Sequence, residues 1–388
     1  MPDAAVDVLI VGGGPAGLYA AAQLARAGFH VVVCEEHRTV GDPVHCTGIL
    51  AAESFDEFDL PREATLNALT TANFVSPSGI GVSYTALTPM ATVIDRPAFD
   101  RALAQRAEQA GAELWAGVRV GQVEASTGGV TAIAGGQLVR ARVVLLACGA
   151  HYALQRSFGL GLPKQYLHTA QRELPAAAMC DLELHFGREI APDGFAWAVP
   201  IIRPDGAYVR IGVMASHDAA GCYARMLDRV GSRWGVTRGD VQPRQKILPL
   251  GPIRRTYADR LLVIGDAAGL VKPTTGGGIY YSIMSAAMAA EAAASALERD
   301  RLDASSLSAY ERRWRARIAA ELRAQHALRE VAERLTDGDI DELFDLAQTD
   351  GIIPLVRKTA RFNQHRDFIR ALFRHAPARR ILFRSLAG

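Results

Sequence analysis

A strand, a glycine turn and a helix follow one another at the N-terminus, and nothing else in the chain restricts its fold as strongly. Val6 to Val11 is an apolar run, Gly12-x-Gly14-x-x-Gly17 a turn, and Leu18 to Ala27 a helical stretch ending at Gly28. His30 to Cys34 resumes strand character, and Glu35 closes it. This is a βαβ unit. Gly12 permits the tight turn, Gly14 lets a pyrophosphate approach the backbone, and Gly17 lets helix and strand pack closely. Glu35 is placed to accept ribose hydroxyls, and an acid there argues against a 2′-phosphate.

A second glycine motif lies far downstream. Leu261 to Ile264 reads as a buried strand, and Asp266 follows it as an acceptor for sugar-alcohol hydroxyls at the strand's carboxyl end. After Pro273, Gly276-Gly277-Gly278 opens an Ala-rich helical stretch that runs to about Leu297. Glycines let the backbone approach a planar ring, and a helix start offers unpaired N–H groups and partial positive charge. One motif points to a dinucleotide; the pair points to a flavin.

Further strands and helices fill the interval. Arg96 to Ala107 forms an amphipathic helix in which Arg101 can reach ligand phosphates, followed by strands at Ala112–Trp115 and Val118–Val120. Gln122 to Ala141 reads as a hairpin pair, and Arg142 to Ala147 as a buried strand ending at Cys148-Gly149. His151 to Leu250 is β-rich, with strands at Cys180–Phe186, Phe195–Ile202 and Ala207–Val213 separated by Pro-Asp-Gly turns. From Ser305 the pattern is helical. The expected fold is α/β (α+β): a Rossmann-like nucleotide-binding domain from residues 1–150 and 251–300, an inserted β-sheet substrate domain at 151–250 with part of 60–95, and a C-terminal helical region at 301–388.

Composition excludes several classes. The formal net charge of +2 is too small to argue for nucleic acid. Five cysteines, Cys34, Cys46, Cys148, Cys180 and Cys222, are scattered without a CxxC pair, so no metal site or disulfide framework is indicated. A reducing cytoplasm fits best. The apolar N-terminus carries Asp3 and Asp7 where a signal peptide would be basic, and Glu291 interrupts the best candidate membrane span.

At this point the residues resemble a family: the geranylgeranyl reductases, FAD-dependent oxidoreductases within the aromatic-hydroxylase-like flavoprotein group. The likeness is carried by the two glycine motifs, by Pro43-Val-His-Cys46-Thr-Gly48, and by Pro192-Asp-Gly-Phe195-Ala-Trp197-Ala-Val-Pro200. In the last tract Phe195 stands for the family's Tyr and Val199 for its Phe. Cys148-Gly149 stands where the wider group more often has Asp-Gly. The resemblance implies FAD as cofactor, held by Gly12, Gly14, Ala16, Gly17, Glu35, Glu36, Cys46, Arg101, Val120, Gly149, Gly265, Asp266, Gly276, Gly277, Gly278 and Ile279. It places Cys46, with His45 beside it, near the flavin ring as a proton donor or a gate for flavin movement, and Trp197 and Phe195 at an apolar substrate pocket. No metal is implied.

The implied reaction is reduction of isolated carbon–carbon double bonds in a prenyl chain of a lipid, quinone or pigment, with reduced nicotinamide, NAD(P)H, or another carrier as electron source. Two alternatives share the glycine motifs: a flavin-dependent monooxygenase or halogenase, and an electron-transfer flavoprotein serving a quinone. From Gly351 to Gly388 there are nine Lys and Arg against Asp367 alone. That basic amphipathic pattern suits either a solvated helix face or a peripheral contact at the inner face of the membrane.

Overall fold

The computed structural model describes residues 4–236, 242–349 and 351–384, so Asp3 and the last four residues of the C-terminal region lie outside the described residues. Its first sheet is built on near-continuous apolar strands. Val8 to Ile10, Val31, Val32 and Val143 to Leu146 have no exposed surface, the signature of strands covered on both faces. The order is Tyr257–Ala258, Leu261–Val263, Gln137–Leu146, Ala4–Val11, Val31–Glu35, Glu113–Ala116, and all neighbours are parallel except the first pair. Helix Pro15–Arg26 packs between helices Arg96–Gln109 and Ile279–Glu298. The α/β expectation holds, and the strand before Asp266 joins the N-terminal βαβ unit in one sheet.

One segmentation differs from the expectation. The hairpin expected over Gln122 to Ala141 and the strand expected from Arg142 share a single strand, Gln137–Leu146. Its first half pairs antiparallel with Gly129–Ala134, and nearly its whole length runs parallel to Ala4–Val11. Half-exposed residues in one half and fully buried residues in the other made a continuous strand read as two.

The second sheet has seven strands, in the order Arg244–Pro249, Tyr166–Pro175, Gly206–Ala215, Phe195–Arg203, Leu182–His185, Thr71–Val75, Gly81–Thr85. Alternation sorts its two faces. Ala196, Ala198, Val209, Ile211 and Val213 pack against helix Ala219–Trp234, an element absent from the β-rich reading of this segment. Trp197, Val199, Ile201 and Met214 point the other way into a separate apolar cluster with Leu69, Val93, Leu167 and Leu250. A three-stranded antiparallel sheet, Ile49–Ala51, Ala91–Ile94 and Thr65–Leu69, supplies part of that cluster.

The C-terminal region is helical. Ala304–Ala332 lies on the first sheet, with the Tyr310 hydroxyl donating to Val263 O (2.9 Å) and Trp314 Nε1 to Thr256 Oγ1 (3.0 Å). Helices Asp337–Thr349, Ile352–Thr359, Arg366–Arg374 and Ala376–Leu382 follow. Among the described residues no helix is long and apolar enough to cross a membrane.

Candidate cofactor and substrate site

The first glycine turn is shaped by backbone contacts that leave no room for a side chain. A Cβ on Gly12, at φ +112°, would lie 2.4 Å from Ala147 O, and one on Gly17 would lie 2.0 Å from Gly12 O. By contrast, a Cβ on Gly14 would meet nothing within 4 Å. The start of helix Pro15–Arg26 therefore faces open space, with no side chain capping its N–H groups. That is a cradle for an anionic group. Glu35 closes the unit: its Oε2 accepts from Gly13 N–H (2.7 Å) and its Oε1 from His37 N–H (2.9 Å). Glu36 is exposed, with Arg119 Nε 3.8 Å away.

The second glycine motif sits against the first. Gly265 is left-handed at φ +62°, and a Cβ there would lie 3.2 Å from Ala16 Cβ and 2.9 Å from Ser282 Oγ. Asp266 Oδ1 lies within 2.7 Å of where a Cβ on Gly278 would stand, so the carboxylate looks onto the glycine run. Gly278 precedes helix Ile279–Glu298 without a side-chain cap. A Cβ on Gly276 would lie 2.6 Å from Leu248 Cδ2 and 3.3 Å from Met214 Sδ, which brings the loop onto the apolar face of the second sheet.

The Cys46 loop is gripped from two sides. Thr47 Oγ1 donates to Gln171 Oε1 (3.1 Å), and the Arg210 guanidinium donates to Thr47 O. Gly48 N–H donates to Cys46 Sγ (3.3 Å), and Gly48 itself, at φ +73°, has Ile94 O 2.7 Å from its Cβ position. Arg210 is anchored by Glu173 (2.6 Å), which also binds Arg203, and Arg203 reaches Asp95 at 2.6 Å. Burial pushes the Glu173 carboxyl up, but Arg203 and Arg210 outweigh it and hold it below the usual carboxylate range. Arg96 stands against the loop of the half-buried Cys46, its Cγ 3.5 Å from the Cβ position of Gly48, and its guanidinium is paired with Asp100 at 2.9 and 3.1 Å.

Trp197 is buried on the second sheet, 5.8 Å from Phe195 in edge-on contact. Its place is made by Gly212, where a Cβ would come within 2.4 Å of the indole. Trp197 Nε1 and His45 Nδ1 are buried polar atoms with no hydrogen-bond partner. Burial first, then Lys246 and Arg244, lower the pKa of His45 to about 4, so its imidazole is neutral at physiological pH.

Most of the residues expected at the site thus fall along the carboxyl edge of the first sheet and the apolar face of the second. Gly149, at φ +60°, follows the strand that Gly12 touches, and burial pushes the neighbouring Cys148 thiol up to about 12. Val120 is buried at the start of its strand, and Ile279 is buried as the first residue of its helix. Arg101 stands exposed, with no hydrogen bond or ion pair among the described residues. The same helix presents Arg96 to the Cys46 loop instead. Arg96, Arg210 and Lys272 escaped sequence reasoning; only the Arg96–Asp100 i,i+4 spacing carried a signal. Lys272 is 2% exposed and donates to Phe362 O (2.7 Å) and Asn363 Oδ1 (2.8 Å).

The open glycine cradle, the uncapped second helix and the orphaned His45 and Trp197 atoms fit a dinucleotide carrying a planar ring. A mainly parallel sheet with two glycine motifs at its carboxyl edge, faced by a second sheet, is the arrangement of a dinucleotide-binding protein. The family described as lycopene cyclase protein matches residues 7–349. The chain is 31% identical over 351 residues to digeranylgeranylglycerophospholipid reductase 2 of Methanothermobacter thermautotrophicus, covering 87% of this chain and 90% of that one. With digeranylgeranylglycerophospholipid reductase 1 of Methanopyrus kandleri it shares 32% identity over 377 residues, 89% of this chain and 98% of that one. The chain belongs to this flavoprotein family and, within it, to the geranylgeranyl reductases.

Solved structures show the same fold. A geranylgeranyl bacteriochlorophyll reductase-like protein from Thermoplasma acidophilum superposes with a TM-score of 0.86 at 23% identity, over 100% of this chain and 99% of that one. A halogenase in complex with FAD gives 0.69 at 16% identity, over 97% and 85%.

Proposed function

We propose that this chain reduces isolated carbon–carbon double bonds in the prenyl chains of a lipid, using FAD. One arrangement carries the reading: the Cys46 loop is clamped by Arg210 and Gln171 on the sheet face that also carries the apolar Trp197 wall. FAD, when bound, supplies the hydride. Gly12, Gly14, Ala16 and Gly17 would hold its pyrophosphate, Glu35 with Glu36 its ribose, and Asp266 with Gly276 to Ile279 its ring end; Arg101, Val120 and Gly149 complete the set. The unit formed by residues 1–150 and 251–300 does this work, residues 151–250 with part of 60–95 receive the substrate, and 301–388 form the helical region.

An isolated alkene has no carbonyl to absorb charge, so protonation must accompany hydride arrival. Cys46 would hold that proton, while Trp197 and Phe195 keep the chain aligned and water out. A neutral His45 next to Cys46 can pass a proton to it from solvent. Reduced nicotinamide is the electron donor in this reading. Exposed Arg357, Lys358, Arg370, Arg374, Arg379 and Arg380 have no partner among the described residues and would rest on the anionic inner face of the membrane.

The decisive experiment reduces the flavoprotein anaerobically and adds a geranylgeranylated phospholipid. Flavin reoxidation with a product heavier by two hydrogens per double bond supports the reading; oxygen or halogen insertion, or no reoxidation by any prenylated lipid or quinone, defeats it.

A further inference from the structure

We propose that Lys272 supplies a buried positive charge beneath the glycine run at 276–278, and that its counter-charge is the anion formed on a flavin ring when the ring is reduced. The inference rests on the reading of Asp266 and Gly276 to Ile279 as the ring end of the FAD site. Lys272 and the glycines form one closed loop: Lys272 N–H donates to Gly277 O (3.2 Å), and Gly276 N–H donates to Lys272 O (2.9 Å). The side chain runs under the loop it closes, with Cδ 3.4 Å and Cε 3.7 Å from the Cβ position of Gly277.

The head group is held by the C-terminal region. Nζ donates to Phe362 O (2.7 Å) and Asn363 Oδ1 (2.8 Å), and it stands 4.6 Å from the centre of the Phe362 ring. These partners are all uncharged, and Lys272 has no ion pair among the described residues. The nearby acids are engaged elsewhere. Glu321 accepts from Gln325 Nε2 (2.7 Å), from Arg366 N–H (3.1 Å) and from His365 N–H. Glu53 is exposed and accepts from Asn363 Nδ2 (3.2 Å). Burial first, then Lys272 itself, lower the pKa of His365 to about 4, so that ring adds no charge at neutral pH. Buried charges are ordinarily paired or else discharged. The protein's own groups do not balance this one, and the loop its stem supports is the loop read as meeting the flavin ring.

Hydride taken from reduced nicotinamide brings two electrons and one proton to the ring, leaves the nicotinamide oxidised, and adds one negative charge to the flavin. The N–H groups at the start of helix Ile279–Glu298 and the Lys272 ammonium both favour that charge. Burial alone brings the pKa of Lys272 down to about 7, and an anionic ring nearby holds the proton on. A single charge acting through the protein interior is worth about tenfold in such an equilibrium.

The test is the midpoint potential of the bound flavin, measured by anaerobic reduction of the holoenzyme in equilibrium with a reference dye at fixed neutral pH. Lys272→Met should lower the potential by about 30 mV, a tenfold loss in the preference for reduced flavin. Asn363→Asp keeps the lysine and sets a carboxylate against its ammonium, and it should lower the potential in the same direction. A purely structural role would reduce how much flavin is bound and leave the potential of the remainder unchanged. That result in a flavin-containing Lys272→Met protein overturns the proposal. Should that variant hold no flavin, Asn363→Asp decides alone, and an unchanged or raised potential overturns it. Wild-type protein that binds no FAD defeats the FAD reading itself, whereas an unchanged potential in a flavin-containing variant leaves that reading standing and removes only the role of Lys272.

Discussion

Ala16 and Gly265 are in contact: a Cβ on Gly265 would stand 3.2 Å from that of Ala16, so the N-terminal glycine turn and the distant Gly-Asp motif meet through their smallest residues. Gly265→Ala should separate them, since it also imposes a side chain at φ +62° and meets Ser282 Oγ at 2.9 Å. The expected cost is about 1–3 kcal/mol with reduced flavin content. Thermal unfolding and the flavin-to-protein absorbance ratio check it; wild-type values for both would remove the argument.

Gly212→Ala should act on the substrate wall and spare the cofactor. The new methyl would reach within 2.4 Å of the Trp197 ring, which has to leave its place against Phe195. Flavin content should stay at the wild-type level while KM for the prenyl substrate rises about tenfold or more, a loss of 1.4 kcal/mol. Steady-state kinetics on substrates of different chain length measures this.

Arg210→Met should loosen the Cys46 loop. It removes the donor to Thr47 O and leaves the partly buried Glu173 with Arg203 alone. Losing charge-assisted hydrogen bonds of this kind costs about 1–3 kcal/mol. A thermal midpoint equal to that of the wild type would show that Arg210 is not what holds the loop.

Lys272 gives a pH dependence with a definite sign. Burial lowers its pKa from 10.5 to about 7, only partly opposed by Glu53 and Glu321. The unfolded chain therefore binds the proton more tightly, and stability rises as pH increases from about 7 to 10, by at most about 1.4 kcal/mol per pH unit. Lys272→Met lacks this rise. The difference in unfolding free energy, wild type minus variant, should grow across that window and stay flat below it; a difference that shrinks with rising pH contradicts the assignment.

Replacing Arg370, Arg374, Arg379 and Arg380 by Glu should abolish sedimentation with anionic vesicles and leave thermal stability within about 0.5 kcal/mol, as expected for exposed residues. Equal binding of both proteins to anionic vesicles would assign the basic face to solvent alone.

Local chemistry made much of this molecule legible. The strand–turn–helix at Val6 to Ala27 carries its own turn chemistry, with Gly12 at φ +112° and Gly17 crowded by Gly12 O, and the buried runs at Leu261 and Val143 are too apolar to lie anywhere but inside a sheet. The family, too, is written in short tracts, Cys46-Thr-Gly48 and Phe195 to Pro200, because close backbone approach and aromatic packing demand particular residue types. Strands Tyr166–Pro175 and Arg244–Pro249 are harder to see, since neither alternates regularly between buried and exposed residues and the first four residues of the second are all exposed.

Which charged residues belong to the site was decided only in three dimensions. Arg96 and Arg101 lie on one helix, and only the i,i+4 spacing of Arg96 and Asp100 sets them apart in sequence, yet the direction of the capped first turn sends Arg96 to the Cys46 loop and leaves Arg101 exposed. Arg210 and Lys272 find their partners across long stretches of chain, at Thr47 and at Phe362. Periodicity and turn chemistry act over a few residues and so determine elements and their motifs. The pairing of a buried charge depends on which elements pack together, and that is a property of the tertiary structure alone.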